Sequence, residues 1–428
     1  MRKKDKKSAR SRVLGCLSVF LAGCFAEPAA RPADEPLPEL PLIEEMPHAS
    51  VPGSLRIASI FPTLGRYALS GRQSHNGVRL AVEVLNETGG IHGRPVELLE
   101  ARTGSSFLDA RYAVEELLVA DDVLAIVGSN SSSLSLEIAP VAQSRGIVQI
   151  SNVSTVPDVT LGRDFVFRVC HSDAVLGGLL AEFARYSLSA HRVAILHEAG
   201  RPYSANLATS FARNFLDFLP GPTERPSEVR IFLYPEFETD FRRQLLEVQD
   251  YRPDVVVVPG SFSDATLVAM QAELMGLEAT LLGGDSWSSR LLFARGGPGR
   301  TAFHTDHWHP DAPFLSDDGR MFPLIYRERF CEELNGARAP MAYDALLAVA
   351  TALESLGPLE DTALEPGPEI TVTRRRLRDA LNVVDFVGVT GRVRFDENGD
   401  AVKGCAIIRV ERGRDGLVSR FDRWVGER

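Results

Sequence analysis

Four short stretches of this chain put hydroxyl donors, a carboxylate and an aromatic ring where a small dipolar molecule could be held. Gly128-Ser129-Asn130-Ser131-Ser132-Ser133 follows an apolar run at 123–127 and opens a segment of helical period at 134–144. Hydroxyls and free backbone N–H groups at a helix start cradle a carboxylate or phosphate, although a Ser-rich start can also cap only its own helix. Ser151-Asn152-Val153-Ser154-Thr155-Val156-Pro157 repeats the offer after the next apolar run. Two donor-rich loops at adjacent strand ends favour the anion site, because ligands of doubly wound sheets sit beyond the carboxyl ends of the strands. Gly283-Gly284-Asp285-Ser286-Trp287 supplies an acid in the same kind of position, able to take an ammonium or to cap a helix. Tyr203, in Arg201-Pro202-Tyr203-Ser204-Ala205-Asn206, can lay its ring over a ligand. Donors, an acid and an aromatic lid together match a zwitterion.

Other chemistries lack their residues. After Lys7 the only lysine is Lys403, so there is no Gly-Lys-Ser/Thr phosphate loop and no Ser-x-x-Lys nucleophile. His304-Thr305-Asp306-His307-Trp308-His309 has metal-ligand types, but a zinc site needs three or four converging ligands, so no metal is expected. His307 is accordingly read as lying outside the site, with period two placing it and His309 on one face. His171-Ser172-Asp173 holds triad types as sequence neighbours, which cannot hydrogen-bond in series as a triad does. Arg374-Arg375-Arg376 with Arg378 reads as a solvated helix start. No nucleophile, base and oxyanion donors come together, so neither catalysis nor a cofactor is expected.

These loops need a scaffold. Apolar, β-branched runs at 55–61, 96–101, 123–127, 147–151, 192–197, 229–234, 254–259 and 280–283 alternate with helical periods at 76–86, 109–119, 134–144, 176–188, 207–219, 241–248 and 266–275. Such runs suit strands covered on both faces, and the alternation implies parallel sheets with right-handed crossovers. Helices at 322–334, 343–355 and 373–381 follow, and 391–400 reads as a hairpin turning on Asn398-Gly399. A chain of 428 residues, 44% apolar and 24% charged, is long enough for two lobes with full cores.

The N-terminus is different. Residues 1–23 carry seven Lys or Arg against Asp5 alone, then a short apolar stretch ending in Leu21-Ala22-Gly23-Cys24. That is too short to span a bilayer and reads as a signal peptide whose end resembles a bacterial lipobox, with Cys24 as the lipidated mature terminus. Seven prolines between Phe25 and Pro52 mark a tether. The remainder keeps 40 of the 47 basic and 56 of the 57 acidic residues, an acidity that argues against nucleic-acid binding. Export leaves Cys170, Cys331 and Cys405, an odd number that allows one disulfide the sequence does not assign; free thiols are favoured because no metal or nucleophile pattern surrounds them.

A resemblance covers nearly the whole folded chain. It rests on Gly71 with Asn76-Gly77-Val78-Arg79-Leu80-Ala81, Asn86-Glu87-Thr88-Gly89-Gly90-Ile91-His92-Gly93-Arg94, Ile126-Val127-Gly128, Phe165-Val166-Phe167-Arg168, Asp254-Val255-Val256-Val257-Val258, Gly276-Leu277, Leu282-Gly283-Gly284-Asp285, Tyr343-Asp344-Ala345 and the run from Gly388-Val389-Thr390 to Phe395-Asp396. In order and spacing these resemble the solute-binding proteins of branched-chain amino-acid ABC transporters. The resemblance implies an α/β, two-lobed type I periplasmic-binding-protein (Venus-flytrap) fold with a Rossmann-like parallel sheet in each lobe and several inter-lobe crossovers. The expected layout is signal peptide 1–23, tether 24–53, lobe one 54–173 with 312–388, and lobe two 174–311 with 389–428.

It also implies roles: Ser132 and Thr155 for an α-carboxylate, the Val153 carbonyl and Asp285 for an ammonium, Tyr203 as lid, with Ser131 alongside. Departures fall at Ser70 and Ser261, where the family often has aromatic residues, and at Ser204, where glycine commonly follows the lid tyrosine. The pocket is therefore expected to be roomier or more polar, and the lid backbone to shift if Ser204 needs positive φ. The function implied is an exported, lipid-anchored monomer that binds an amino acid or similar zwitterion and serves ABC permease subunits. The alternative is a sensor or envelope-partner lipoprotein of the same fold.

Overall fold

The computed structural model describes residues 53–219, 225–289, 292, 301–413 and 416–427. The signal peptide, the lipidation site Cys24 and the tether up to residue 52 lie outside them. Strands β1 (Leu55–Pro62), β2 (Val96–Thr103), β3 (Ala125–Gly128), β4 (Val148–Ser151) and β5 (Val166–Arg168) form a parallel sheet ordered β2-β1-β3-β4-β5. Helices α1 (Ala68–Glu87), α2 (Phe107–Leu117) and α3 (Ser132–Arg145) make its crossovers. All residues of β1, β3 and β4 are buried, the polar Arg56, Ser59, Gln149 and Ser151 included, as strands covered on both faces require.

The chain then crosses to a second lobe. Helix α4 (Asp173–Glu182) leads through a π-helical turn to β6 (Arg192–Glu198), α5 (Pro202–Leu216), β7 (Glu228–Tyr234), α6 (Arg242–Tyr251), β8 (Val255–Val258), α7 (Phe262–Leu274), β9 (Thr280–Gly283) and β10 (Ala302–Asp306). It returns to the first lobe as α8 (Asp317–Phe330), α9 (Arg338–Ser355), α10 (Pro368–Leu381), β11 (Asp385–Gly388) and β12 (Gly391–Arg394), and closes on β13 (Cys405–Gly413) and β14 (Gly416–Val425). The second sheet is ordered β14-β13-β10-β9-β8-β6-β7, and β13 alone runs antiparallel to its neighbours β10 and β14. No described helix is long and apolar enough to cross a membrane.

The first core packs Val78 and Ala81 of α1 against Ala342, Leu346 and Val349 of α9, with Phe322 and Tyr326 of α8 beside them. Each buried Val- or Leu-sized side chain contributes roughly 1.5–3 kcal/mol of transfer free energy. Helix α1 begins eight residues before its expected start because Gln73, Ser74 and His75, though polar, are buried on its inner face.

The C-terminal hairpin is also displaced. The two paired strands are β11 and β12, turning at Val389-Thr390, while Asn398-Gly399 makes only a tight turn closed by a Phe395–Ala401 bridge. The cause is Asp344 of α9: its carboxylate accepts the Val389 N–H at 2.9 Å and the Thr390 N–H at 2.8 Å, fixing the turn there. Val389 and Val393 therefore join the first core, and the chain re-enters the second lobe near Cys405 rather than at 389. Cys170 and Cys405 are buried free thiols.

Candidate functional site

Between the lobes lies a cavity of 330 Å³ at the carboxyl ends of both sheets. It is lined by Ser70, Ser131, Ser132 and Val153 from the first lobe and by Tyr203, Ser261 and Asp285 from the second. Thr155 does not line it: the residue is fully buried, its carbonyl accepts the Asp173 N–H at 2.6 Å, and its hydroxyl has no hydrogen-bond partner. A larger groove of 780 Å³ beside Arg163, Arg378 and Asn398 contains none of the expected residues.

The two serine-rich loops divide their hydroxyls between architecture and cleft. Ser151 Oγ and Ser154 Oγ donate to the Ser129 carbonyl at 2.7 and 2.9 Å, and Ser135 Oγ pairs with Ser154 Oγ at 2.8 Å. These tie the ends of β3 and β4 together. Ser131, at the N-cap of α3, makes no side-chain cap bond, and Ser132 at the first helical position has only a long 3.4 Å contact from the Val156 N–H. Both are thus left facing the cleft with the first-turn N–H groups of a 14-residue helix.

Across the cleft, β9 ends in Gly283-Gly284 and Asp285 opens a 3₁₀ turn. A Cβ on Gly284 would sit 2.2 Å from the Tyr203 hydroxyl, so glycine there permits the Tyr203 hydroxyl to donate to Asp285 Oδ1 at 3.0 Å. His307 Nε2 lies 3.4 Å from the other oxygen, Asp285 Oδ2, without hydrogen-bond alignment. Burial pushes the Asp285 carboxyl up, but the His307 ring, Arg338 and the Tyr203 hydroxyl more than offset it and hold it below the usual carboxylate range. Behind it, burial drives Asp173 well above that range, and burial with the neighbouring His307 keeps His171 neutral. The serine-rich loops and the start of α3 therefore present neutral donors opposite one ionised acid. Among the described residues no three His, Cys, Asp or Glu converge as a metal site.

The periplasmic binding protein family model matches residues 54–415. The chain belongs to that family. It is a solute-binding protein of the type I two-lobed fold rather than an enzyme, and membership places it among exported periplasmic proteins. It is 26% identical over 369 residues to the Leu/Ile/Val-binding protein BraC3 of Rhizobium johnstonii, covering 84% of this chain and 92% of that one. Similarity to Leu/Ile/Val-binding protein homolog 3 of Brucella melitensis, 27% identical, spans 57% of this chain and 64% of that relative, less than two thirds of its length. The crystal structure of the leucine-binding protein LivK of Thermotoga maritima superposes with a TM-score of 0.75 at 27% identity, over 87% of this chain and 99% of that one.

In this solute-binding protein several details depart from the sequence reading. His307 touches Asp285 and stacks edge-on against His171 at 4.6 Å, so it belongs to the site. His309 points elsewhere and stacks on Phe421 at 5.3 Å, so the two histidines do not share a surface. Period two fails because β10 ends at Asp306, before either of them. Ser204 is an ordinary helical residue of α5: its Oγ donates to the Pro259 carbonyl at 2.6 Å and accepts the Glu198 N–H at 3.0 Å, with no positive φ. Ser261 lines the cleft but also caps α7, accepting the Asp264 N–H at 3.2 Å. Arg66, Arg201 and Arg338 also line the cleft, and none of them was foreseen. Arg201 follows a strand and precedes Pro202 at the first position of α5, the one local signal that pointed to it.

Proposed function

We propose that this solute-binding protein is a lipid-anchored receptor that closes on an amino acid or similar zwitterion and presents it to an ABC permease. The observation that carries the reading is the convergence of Ser132 and Val153 from one lobe with Tyr203 and Asp285 from the other in a single cleft. The ligand α-carboxylate takes the Ser132 hydroxyl and the first N–H groups of α3. Its ammonium takes Asp285 and the Val153 carbonyl, and the Tyr203 ring covers it. Thr155 sits one layer behind and shapes the loop. Charge-assisted bonds of this kind are roughly twice as strong as neutral ones, so main-chain atoms alone can anchor the ligand. Because the ligand touches both lobes only when they are together, it favours the closed state by that differential affinity. The relatives named for binding leucine, isoleucine and valine support an amino acid as the ligand class.

The test is titration calorimetry of the purified full chain against a panel of L-amino acids, with Asp285→Asn beside the wild type. A bound amino acid at 100 times its dissociation constant should add about 2.7 kcal/mol to stability, visible as a raised melting temperature. Asp285→Asn should weaken it at least a hundredfold, and an undiminished affinity would refute the assignment.

A further inference from the structure

Three guanidinium groups line the cleft, and they are not equivalent. Arg66 lies 3.1 Å from Glu198, 3.5 Å from Glu236 and 3.8 Å from Asp264, and Arg201 lies 2.9 Å from Glu198. Both also sit over the Tyr67 ring, at 5.7 and 5.4 Å. Their charges are answered within the protein, and they serve as a clasp between Tyr67 on the first lobe and Glu198 on the second. Arg338 is different. It opens α9 on the first lobe and is half-buried, and its Nη1 donates at 2.7 Å to the Ser288 carbonyl on the second lobe. Among the described residues its guanidinium has no other hydrogen bond and no carboxylate within 4.0 Å. Asp285 is near enough to be stabilised by it but does not pair with it.

The charge arithmetic of a bound zwitterion leaves this group over. The ammonium goes to Asp285 and the α-carboxylate to neutral donors, so on closure Arg338 would be desolvated without a counter-charge, an arrangement proteins avoid. A guanidinium with two free N–H edges is also the group best shaped for a carboxylate. Ser70 and Ser261 add polar lining where a purely aliphatic side chain would bring nothing to bond.

We propose that Arg338 reads a second carboxylate, so that the ligand is an acidic α-amino acid of glutamate or aspartate chemistry rather than a branched aliphatic one. This rests on the zwitterion reading of the cleft given above.

The test is calorimetry with the full chain, freed of co-purified ligand, using L-glutamate, L-aspartate, L-leucine and glutarate against wild type, Arg338→Leu and Arg338→Lys. The wild type should bind one of the two acidic amino acids at least tenfold more tightly than leucine. Arg338→Leu should lose thirtyfold or more of that affinity while leucine changes less than threefold, and Arg338→Lys should retain part of it. Melting curves within a few degrees of the wild type confirm that the variants are folded. Tightest binding of leucine, with an unchanged glutamate-to-leucine ratio in Arg338→Leu, would overturn this inference and leave the amino-acid reading standing. Glutarate binding as tightly as glutamate would instead overturn the ammonium assignment to Asp285, and the acidic amino acid with it.

Discussion

Two buried polar clusters lie at the inter-lobe crossovers, and they are built on opposite plans. Around Arg168, fully buried at the end of β5, every donor is used. Nε donates to Asp400 at 2.6 Å, Nη1 to the Ser154 and Val156 carbonyls at 2.9 and 2.8 Å, and Nη2 to the Pro157 carbonyl at 3.0 Å and Thr160 Oγ at 2.5 Å. Around Asp285 the reverse holds. Both ring nitrogens of His171 and of His307, and both oxygens of Asp173, have no hydrogen-bond partner although they are buried. A saturated charged hub fixes backbone, whereas an under-satisfied one keeps capacity for something that comes and goes. The saturation of a polar group, more than its burial, thus separates structural from binding residues in this molecule.

The largest expected effect is at the saturated cluster. Arg168→Met would strand Asp400 and four other acceptors, and breaking such a pair by removing one partner costs about 3–5 kcal/mol. The melting temperature should fall by roughly 10 °C at that cost for domains of this size. Ligand affinity of the surviving folded protein should hold within a few-fold, because Arg168 does not line the cleft. A calorimetric scan paired with a titration checks both halves. A fall in affinity without a fall in stability would erase the contrast between the clusters.

Acid should tell the clusters apart next. Burial lowers the His304 pKa to about 4 and keeps His171 well below its ordinary value. In the unfolded chain both protonate near 6.5. As pH falls from 6.5 toward 4 the unfolded state therefore binds protons at these two rings that the folded state refuses, a loss of stability that the raised carboxyls of Asp173 and Asp306 oppose by taking up protons in the folded state. For His304 alone the full loss is about 3 kcal/mol. The Arg168 cluster contains no histidine, so this histidine contribution is confined to β10 and the 169–173 crossover. His304→Gln should flatten the decline of melting temperature with pH, and an unchanged slope would show that its ring is not held neutral.

Much of this was legible from residue order. Strand β8, Val255–Val258, is at most 1% exposed, and a run of four valines announces such a strand. Helix α7, expected over 266–275, instead starts at Phe262 behind a Ser261-to-Asp264 capping box. Seven of the eight expected site residues line one cleft: Ser131, Ser132, Tyr203 and Asp285 lie at strand ends and helix starts that are local features, whereas Ser70, Val153 and Ser261 came from the family resemblance. What stayed hidden depends on tertiary neighbours. The turn at Val389-Thr390 is chosen by Asp344, some 45 residues earlier. Arg338 opens a helix with no motif around it, and it matters only because Ser288 lies across the gap. His307 read as strand material because its meeting with Asp285 needs β9 and β10 to be adjacent.

His307 gives the smallest and most discriminating test. It forms no aligned hydrogen bond, so its share in the site is to hold Asp285 Oδ2 and favour its ionised form from 3.4 Å. Replacing the ring by an amide of similar reach, His307→Gln, should weaken an amino-acid ligand about tenfold, equivalent to about 1.4 kcal/mol. The ligand-free melting temperature should move little, since no hydrogen bond is broken. Binding of glutarate, which brings no ammonium to Asp285, should be indifferent to the change. A general packing defect would weaken both ligands together, whereas loss of support for the carboxylate weakens only the amino acid. Equal affinity in variant and wild type would return His307 to the bystander role that its place in the sequence first implied, and would leave Tyr203 as the residue that orients Asp285.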